Sequence, residues 1–173
     1  TPIVLNDTLK NELAAIPGVK HIQAFATKPG IIKTNEQFQG IVLKGIDGNF
    51  DWDFFKSNLI EGDILHMSDS LQNQAVISKH QADLFKLKLG DTFFAYFMQD
   101  QVRARKFTIS GIYSTNFIEY DKLFILTDMR HIRQLNNWQD SEVSGYEILI
   151  NNFDEIDEIG DQVYFKTANK AHA

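Results

Sequence analysis

The sequence predicts an α+β fold. Helical and extended patterns interleave along the chain, strict alternation of single strands with single helices is missing, and extended segments are joined by turns short enough for hairpins. With 173 residues, of which 43% are hydrophobic and 23% charged, the chain holds enough apolar material for a self-supporting core. Fourteen phenylalanines point to ring packing inside that core.

The first element is a helix, because Leu5, Leu9, Leu13 and Ile16 recur at helical spacing, Asn6 or Asp7 can cap its start, and Pro17-Gly18 stops it. Val19 to Lys33 and the segment "EQFQGIVLKGI" read as extended, with a turn expected at Pro29-Gly30. A turn at Gly48 leads into a short helix from Trp52 to Leu59, closed by Gly62. A strand at Ala75 to Ile77 then runs into a helix. Ser78 and Gln81 form its capping box, Ala82 and Phe85 face inward, and Gly90-Asp91 marks its end. Thr92 to Met98 and Val102 to Tyr113 make a hairpin around Gln99-Asp100-Gln101. A polar turn at Ser114 to Asn116 precedes a strand at Leu123 to Leu126, a helix from Asp128 to Leu135, the loop "NNWQDSEVSG" and the strand "YEILI". Phe153, Ile156, Ile159 and Val163 close the chain as an amphipathic helix, with acids in its first turn where the helix dipole favours them. No internal repeat is visible, and the hairpin-rich centre is expected to form a second lobe inserted into the first.

The formal charge of −6 disfavours nucleic acid and anionic membrane surfaces as partners, because the summed field repels phosphate. The absence of cysteine removes disulfides, thiolate catalysis and cysteine metal sites together. No apolar run approaches the roughly 20 residues a membrane helix needs. The opening "TPIVLNDTLK" lacks an initiator methionine and a signal-peptide pattern, as expected of a segment excised from a longer chain.

Known catalytic patterns are not matched. Gly40, Gly45 and Gly48 are followed by no Lys-Ser or Lys-Thr pair, so a phosphate-cradling loop is not expected. Asp47, Asn49, Asp51 and Asp53 alternate as calcium ligands do, yet the template's sixth and twelfth places hold Trp52 and Asn58. Solvated turn carboxylates, one of them capping a helix, account for the four residues better. His21, His66, His80, His131 and His172 are scattered, and the i,i+3 pairs His80 with Asp83 and Asp128 with His131 read as surface pairs. There is no nucleophile elbow. Neither a metal nor a cofactor is expected, and a catalytic carboxylate pair is unsupported by the spacing.

The hairpin carries the one cationic feature. Arg103 and Arg105 share a strand face with Phe107 and Ile109, so a core-facing row turns cationic toward the tip. Arg103, Arg105 and Lys106 are therefore a candidate contact patch for a protein partner, since arginine is favoured in interfaces. Solvated tip charges predict that exchanging both arginines for serine leaves stability nearly unchanged.

Several motifs in one order resemble a known family. They are "IPGV" after a helix, "LKGID", "EGD", "VISKHQADLFKLKLGD", "RKFTISGIY", "EYD" and "GYEILI", spread from Leu5 to Ile150. Together they are similar to the periplasmic core domain of MacB-type ABC transporter permeases, closest to the lipoprotein-releasing permeases LolC and LolE. The resemblance implies an extracytoplasmic, two-lobed domain of an inner-membrane permease. A porter-like lobe would comprise residues 1–60 and 128–173, and an inserted, mainly β lobe residues 61–127. It implies a second permease subunit and a separate cytoplasmic ATPase as partners, with lipoprotein release or substrate export as the task. A periplasmic lipoprotein carrier would meet a long hairpin hook in one such permease; here Gln99 to Gln101 leave only a short turn. Two other readings stay open on the residues alone: a ligand- or peptide-binding module with a cleft between lobes, and a hydrolase with an unrecognised carboxylate pair.

Overall fold

The computed structural model describes residues 1–33, 38–99 and 101–168. Along them run β1 (Ile3–Val4), α1 (Asp7–Ala14), β2 (Val19–Lys33), β3 (Phe38–Ile46), α2 (Asp53–Ser57), β4 (Leu59–Gly62), β5 (Gln74–Ser78) and α3 (Lys79–Phe85). These are followed by β6 (Thr92–Phe97), β7 (Arg103–Tyr113), α4 (Ile118–Leu123), β8 (Phe124–Asp128), α5 (Met129–Asn136), β9 (Glu142–Val143), β10 (Gly145–Ile150), a 3-10 turn (Phe153–Glu155) and α6 (Ile156–Ala168). Side chains set the helix starts as the sequence predicts. Asn6 accepts from the Leu9 amide at 2.9 Å, Ser78 and Gln81 form the reciprocal box, and Asp128 accepts from the Arg130 amide at 2.9 Å.

Strand pairing closes on itself. β2 pairs antiparallel with β3, β3 parallel with β8, β8 antiparallel with β5, β5 parallel with β7, β7 antiparallel with β6, and β6 antiparallel with β2. The result is a ring of six strands among the described residues, whose inner face is filled by Phe97, Phe107, Ile41, Leu43, Ile109 and Ile125, all buried. Closure leaves these strands no open edge there. Two strands extend the ring: β4 pairs with β7, and β10 pairs with the first half of β2. The boundaries at 60/61 and 127/128 fall inside this ladder, since residues 61–127 supply β5, β6, β7 and most of β8, which bond directly to β2 and β3.

Three expectations need correction. The Pro29-Gly30 pair makes no turn, and β2 runs straight through it. Pro29 lies between the last residue paired with β10, Phe25, and the first paired with β6, Ile31, where β2 has a strand neighbour on one side only and a missing N–H is tolerated. Gly30 is required by packing: a Cβ there would stand 2.7 Å from the Phe97 ring. The helix after Gly48 ends at Ser57, because Leu59–Gly62 is already pairing with β7. α3 ends at Phe85 and is capped by Lys86, which takes the left-handed conformation (φ 55°) four residues ahead of Gly90. An unexpected element, α4, begins at Ile118 with Phe117 at the N-cap position and no side-chain cap. It is held through buried Asp121, which accepts from the Thr115 amide at 3.1 Å and its hydroxyl at 2.6 Å.

Candidate functional site

The cationic end of the hairpin is used inside the molecule. Arg103 pairs across from Phe97 and Arg105 from Ala95, so both rise from the inner face of the ring, as strand alternation predicts. The C-terminus of α5 sits over this mouth. Arg103 Nη1 donates to the carbonyls of Gln134 and Leu135, both at 3.2 Å, and to Asn137 Oδ1 at 3.4 Å. Gln99 Nε2 adds a bond to the Leu135 carbonyl at 2.9 Å, and Lys28 Nζ donates to Asn136 Oδ1 at 2.6 Å. Two cations thus meet the negative end of the helix dipole, Arg103 with Gln99 through the last-turn carbonyls and Lys28 through the Asn136 side chain. Burial, with Arg103 nearby, holds the Lys28 pKa below its ordinary value. The expectation that both arginines are solvated is therefore corrected for Arg103. Among the described residues Arg105 donates to the neighbouring Ala104 carbonyl, and Lys106 lies over the exposed Phe94 ring, 5.9 Å from its centroid.

The acidic turn is also internal architecture. Asp47 Oδ1 accepts from the Asn49 amide at 2.9 Å, Asn49 Nδ2 donates to the Ile22 carbonyl at 3.0 Å, and Asp51 Oδ1 accepts from the Asp53 amide at 2.8 Å. That last bond, at the start of α2, lowers the Asp51 pKa, helped by Lys20. Lys20 reaches Asp51 at 3.1 Å and Asp53 at 3.5 Å. Asp63, beside His66 at 2.9 Å, is also held below the usual carboxylate range. Among the described residues no group of three His, Cys, Asp or Glu side chains is placed to hold a metal.

His131 is not a surface residue. Its ring is buried edge-on to Phe107, with centroids 5.0 Å apart, and Nε2 faces the Gln72 carbonyl at 3.0 Å. A carbonyl only accepts, so Nε2 carries the proton and Nδ1 has no hydrogen-bond partner among the described residues. Burial lowers the His131 pKa. Its expected partner Asp128 instead binds Arg130, which reaches on to the Ser68 and Asp69 carbonyls and ties the loop after β4 to α5.

A site absent from the sequence patterns lies beside β10. This strand pairs with β2 and with no other strand among the described residues. Along it runs an apolar groove of ≈ 550 Å³, floored by Ile148, Leu149 and Ile150, with α6 on one side and Phe54 of α2 on the other. The α6 wall is set by Gly18, whose φ of +86° turns the chain from α1 into β2 and whose missing Cβ makes room for Glu155 Oε2 and Ile159, 2.6 and 2.8 Å from where it would stand. The apolar stripe read on α6 splits accordingly. Ile159 is buried against Leu13, Ile16 and Ile22, whereas Phe153 and Ile156 are 79% and 51% exposed. These two exposed positions were the signal in the sequence: an apolar residue just before the helix and one in its first turn, wider than a single buried stripe needs.

Sharing Phe54, Ile148 and Leu149 with the groove is a second cleft of ≈ 420 Å³ built around a buried ammonium. Lys44 Nζ bonds to the Glu147 carboxylate and lies 5.9 Å from the ring centroids of Phe25, Phe50 and Tyr120. Gln23 completes the network: its amide nitrogen donates to Glu147 Oε2 at 2.9 Å, and its oxygen accepts from the Asp51 amide at 2.8 Å. Burial pushes the Tyr120 hydroxyl far above its ordinary pKa, with Glu147 and Asp121 adding to it. The phenol therefore stays protonated at neutral pH, and the lysine charge is matched by a carboxylate. Such an arrangement suits holding and shaping a surface.

The six-stranded ring extended by β4 and β10, with the first and last helices beside it, makes up a fold similar to those of solved extracytoplasmic domains of ABC transporters. Over 99% of this chain and 84% of the other, the structure is similar to the extracellular domain of the noncanonic ABC-type transporter YknZ from Gram-positive bacteria, with a TM-score of 0.62 and 19% identity. It is also similar to the periplasmic region of MacB from Actinobacillus actinomycetemcomitans, over 94% of this chain and 74% of that one, with a TM-score of 0.56 and 14% identity. At these identities the likeness is one of fold. No family model matches the sequence, and no curated protein matches it. Among the described residues no helix is long and apolar enough to cross a membrane.

Proposed function

We propose that this chain is the extracytoplasmic domain of an ABC transporter permease anchored in the cytoplasmic membrane. In this reading it couples ATP hydrolysis by a separate cytoplasmic ATPase to handling of a substrate outside the membrane, and it does no bond chemistry itself. The single observation that carries the reading is the fold likeness to the YknZ extracellular domain, which spans 99% of this chain. Within that class, release of lipoproteins by a LolC- or LolE-like permease is the finer reading, supported by the ordered motifs from Leu5 to Ile150. A second permease subunit completes the transporter. A soluble lipoprotein carrier is the further partner, with Arg105 and Lys106 the contact residues left to it after Arg103 is engaged by α5.

The test uses the complete gene. Its product is expected to fractionate with membranes, to expose this segment to protease added from outside, and to alter the ATPase rate of its partner subunit when the segment is deleted. A product found entirely in the soluble fraction would refute the reading. A product held in the membrane whose partner's ATPase rate ignores the deletion would favour a ligand- or peptide-binding module without a transport role.

A further inference from the structure

We propose that the groove beside β10 docks an extended, cationic, amphipathic segment of a partner polypeptide, which adds as a strand to the open edge of β10. This inference stands on the surface of the domain alone and does not depend on the transporter reading. Three observations carry it.

The floor of the groove is a strand that among the described residues is bonded on one side only, by β2, so an incoming extended chain finds a backbone template. The walls are apolar and open to solvent, with Phe54 49%, Phe153 79% and Ile156 51% exposed. Side chains of an added strand point alternately to its two faces, and here one wall lies on each side: α6 on one, Phe54 on the other. A docked helix would fill the volume but leave the strand edge unused.

Charge chooses the occupant. Asp154, Glu155, Asp157, Glu158 and Asp161 are five exposed carboxylates within eight residues; none lines the groove itself, but Asp157 and Asp161 each follow a lining residue, Ile156 and Gly160, and no lysine or arginine occurs there before Lys166. At the far end Lys20 is the basic residue lining the groove, and Asp51 and Asp53 neutralise it. A second copy of the chain would bring the same acids against themselves, which disfavours self-pairing. A segment with an apolar centre and flanking lysines or arginines matches both the walls and the rim.

The experiment is titration calorimetry of the 173-residue chain with the peptide acetyl-KKVLVLVKK-amide, compared with acetyl-EEVLVLVEE-amide. The lysine-flanked peptide is expected to bind about tenfold or more tightly than the glutamate-flanked one, and to weaken as salt is raised. Exchanging Phe153→Ser and Ile156→Ser together should abolish binding without changing the melting temperature, since both side chains are exposed. Backbone N-methylation of alternate central residues should abolish binding in one of the two alternating phases only, because successive N–H groups of a strand point to opposite sides. Equal binding of the two charge variants, indifference to both methylation phases, or dimerisation of the chain that the Phe153 and Ile156 exchanges abolish would each overturn the proposal.

Discussion

Replacing Arg103 with alanine tests whether the hairpin's cationic tip is a structural clamp. The guanidinium supplies bonds to two carbonyls at the end of α5, each at 3.2 Å, and a longer one to Asn137. Hydrogen bonds to charged groups contribute about 1.5–3 kcal/mol each when well formed. Partial exposure of Arg103 and the length of these bonds place the sum at about 2 kcal/mol, including the favourable meeting of a cation with the helix C-terminus, which adds about 0.3–1 kcal/mol. For a domain of this size, each kcal/mol shifts the melting temperature by about 2–4 °C, so Arg103→Ala should lower it by about 4–8 °C. Arg103→Lys keeps the charge but loses the fork and should recover about half of the loss. Arg105→Ser should stay within about 0.5 kcal/mol of the parent. Urea unfolding at neutral pH measures all three. A loss below about 0.5 kcal/mol for Arg103→Ala, or an equal loss for Arg105→Ser, would refute the clamp.

Other outcomes follow from the same packing. His131 is held neutral by burial, so the unfolded chain takes up its proton first as the pH falls, and stability should decline below about pH 6.5, the ordinary histidine value. The slope from this one group is at most about 1.4 kcal/mol per pH unit, and His131→Gln should flatten the profile by that amount. The lowered carboxylates Asp51 and Asp63 act in the same direction but only below about pH 4, so chemical unfolding of the parent and His131→Gln between pH 7 and 5 separates the histidine from them. Lys44→Met should destabilise by up to about 3 kcal/mol by leaving Glu147 without its cation, and adding Glu147→Gln should restore part of it, a coupling readable in a double-mutant cycle. Gly18→Ala should cost about 1–3 kcal/mol, because it combines a strained φ with a clash against α6, and proteolysis at the α6 end should rise with it.

Local chemistry was legible in the sequence wherever the deciding residues are neighbours. Ser78 with Gln81, Asp128 ahead of α5, and the cationic row ending in Arg103 all announce themselves within a few positions. Pro29-Gly30 misled because the usual turn signal is outweighed by a ring from Phe97, 67 positions away, that needs a glycine to pack against. α4 was silent because its support, Thr115 with Asp121, looks like ordinary polar residues until they are buried together. Arg103 could be seen but not its partner, since α5 meets the hairpin only after the ring closes. The groove was the least visible feature: Phe54 and Phe153 stand 99 positions apart, and nothing in either neighbourhood names the other.

The placement of α1 and α6 has a mechanical consequence. These two helices pack against each other through Leu13, Ile16 and Ile159, and each leads into a strand of the same β2–β10 ladder or leaves from it. Tension applied between them would shear that small cluster and then peel β10 from the first half of β2, while the ring pairings of β2, which begin at Ala26, lie beyond the loaded stretch. Deformation is thereby confined to the seam that also shapes the groove, so a strain-sensitive probe on β10 should respond to stretching long before one on β5 or β8.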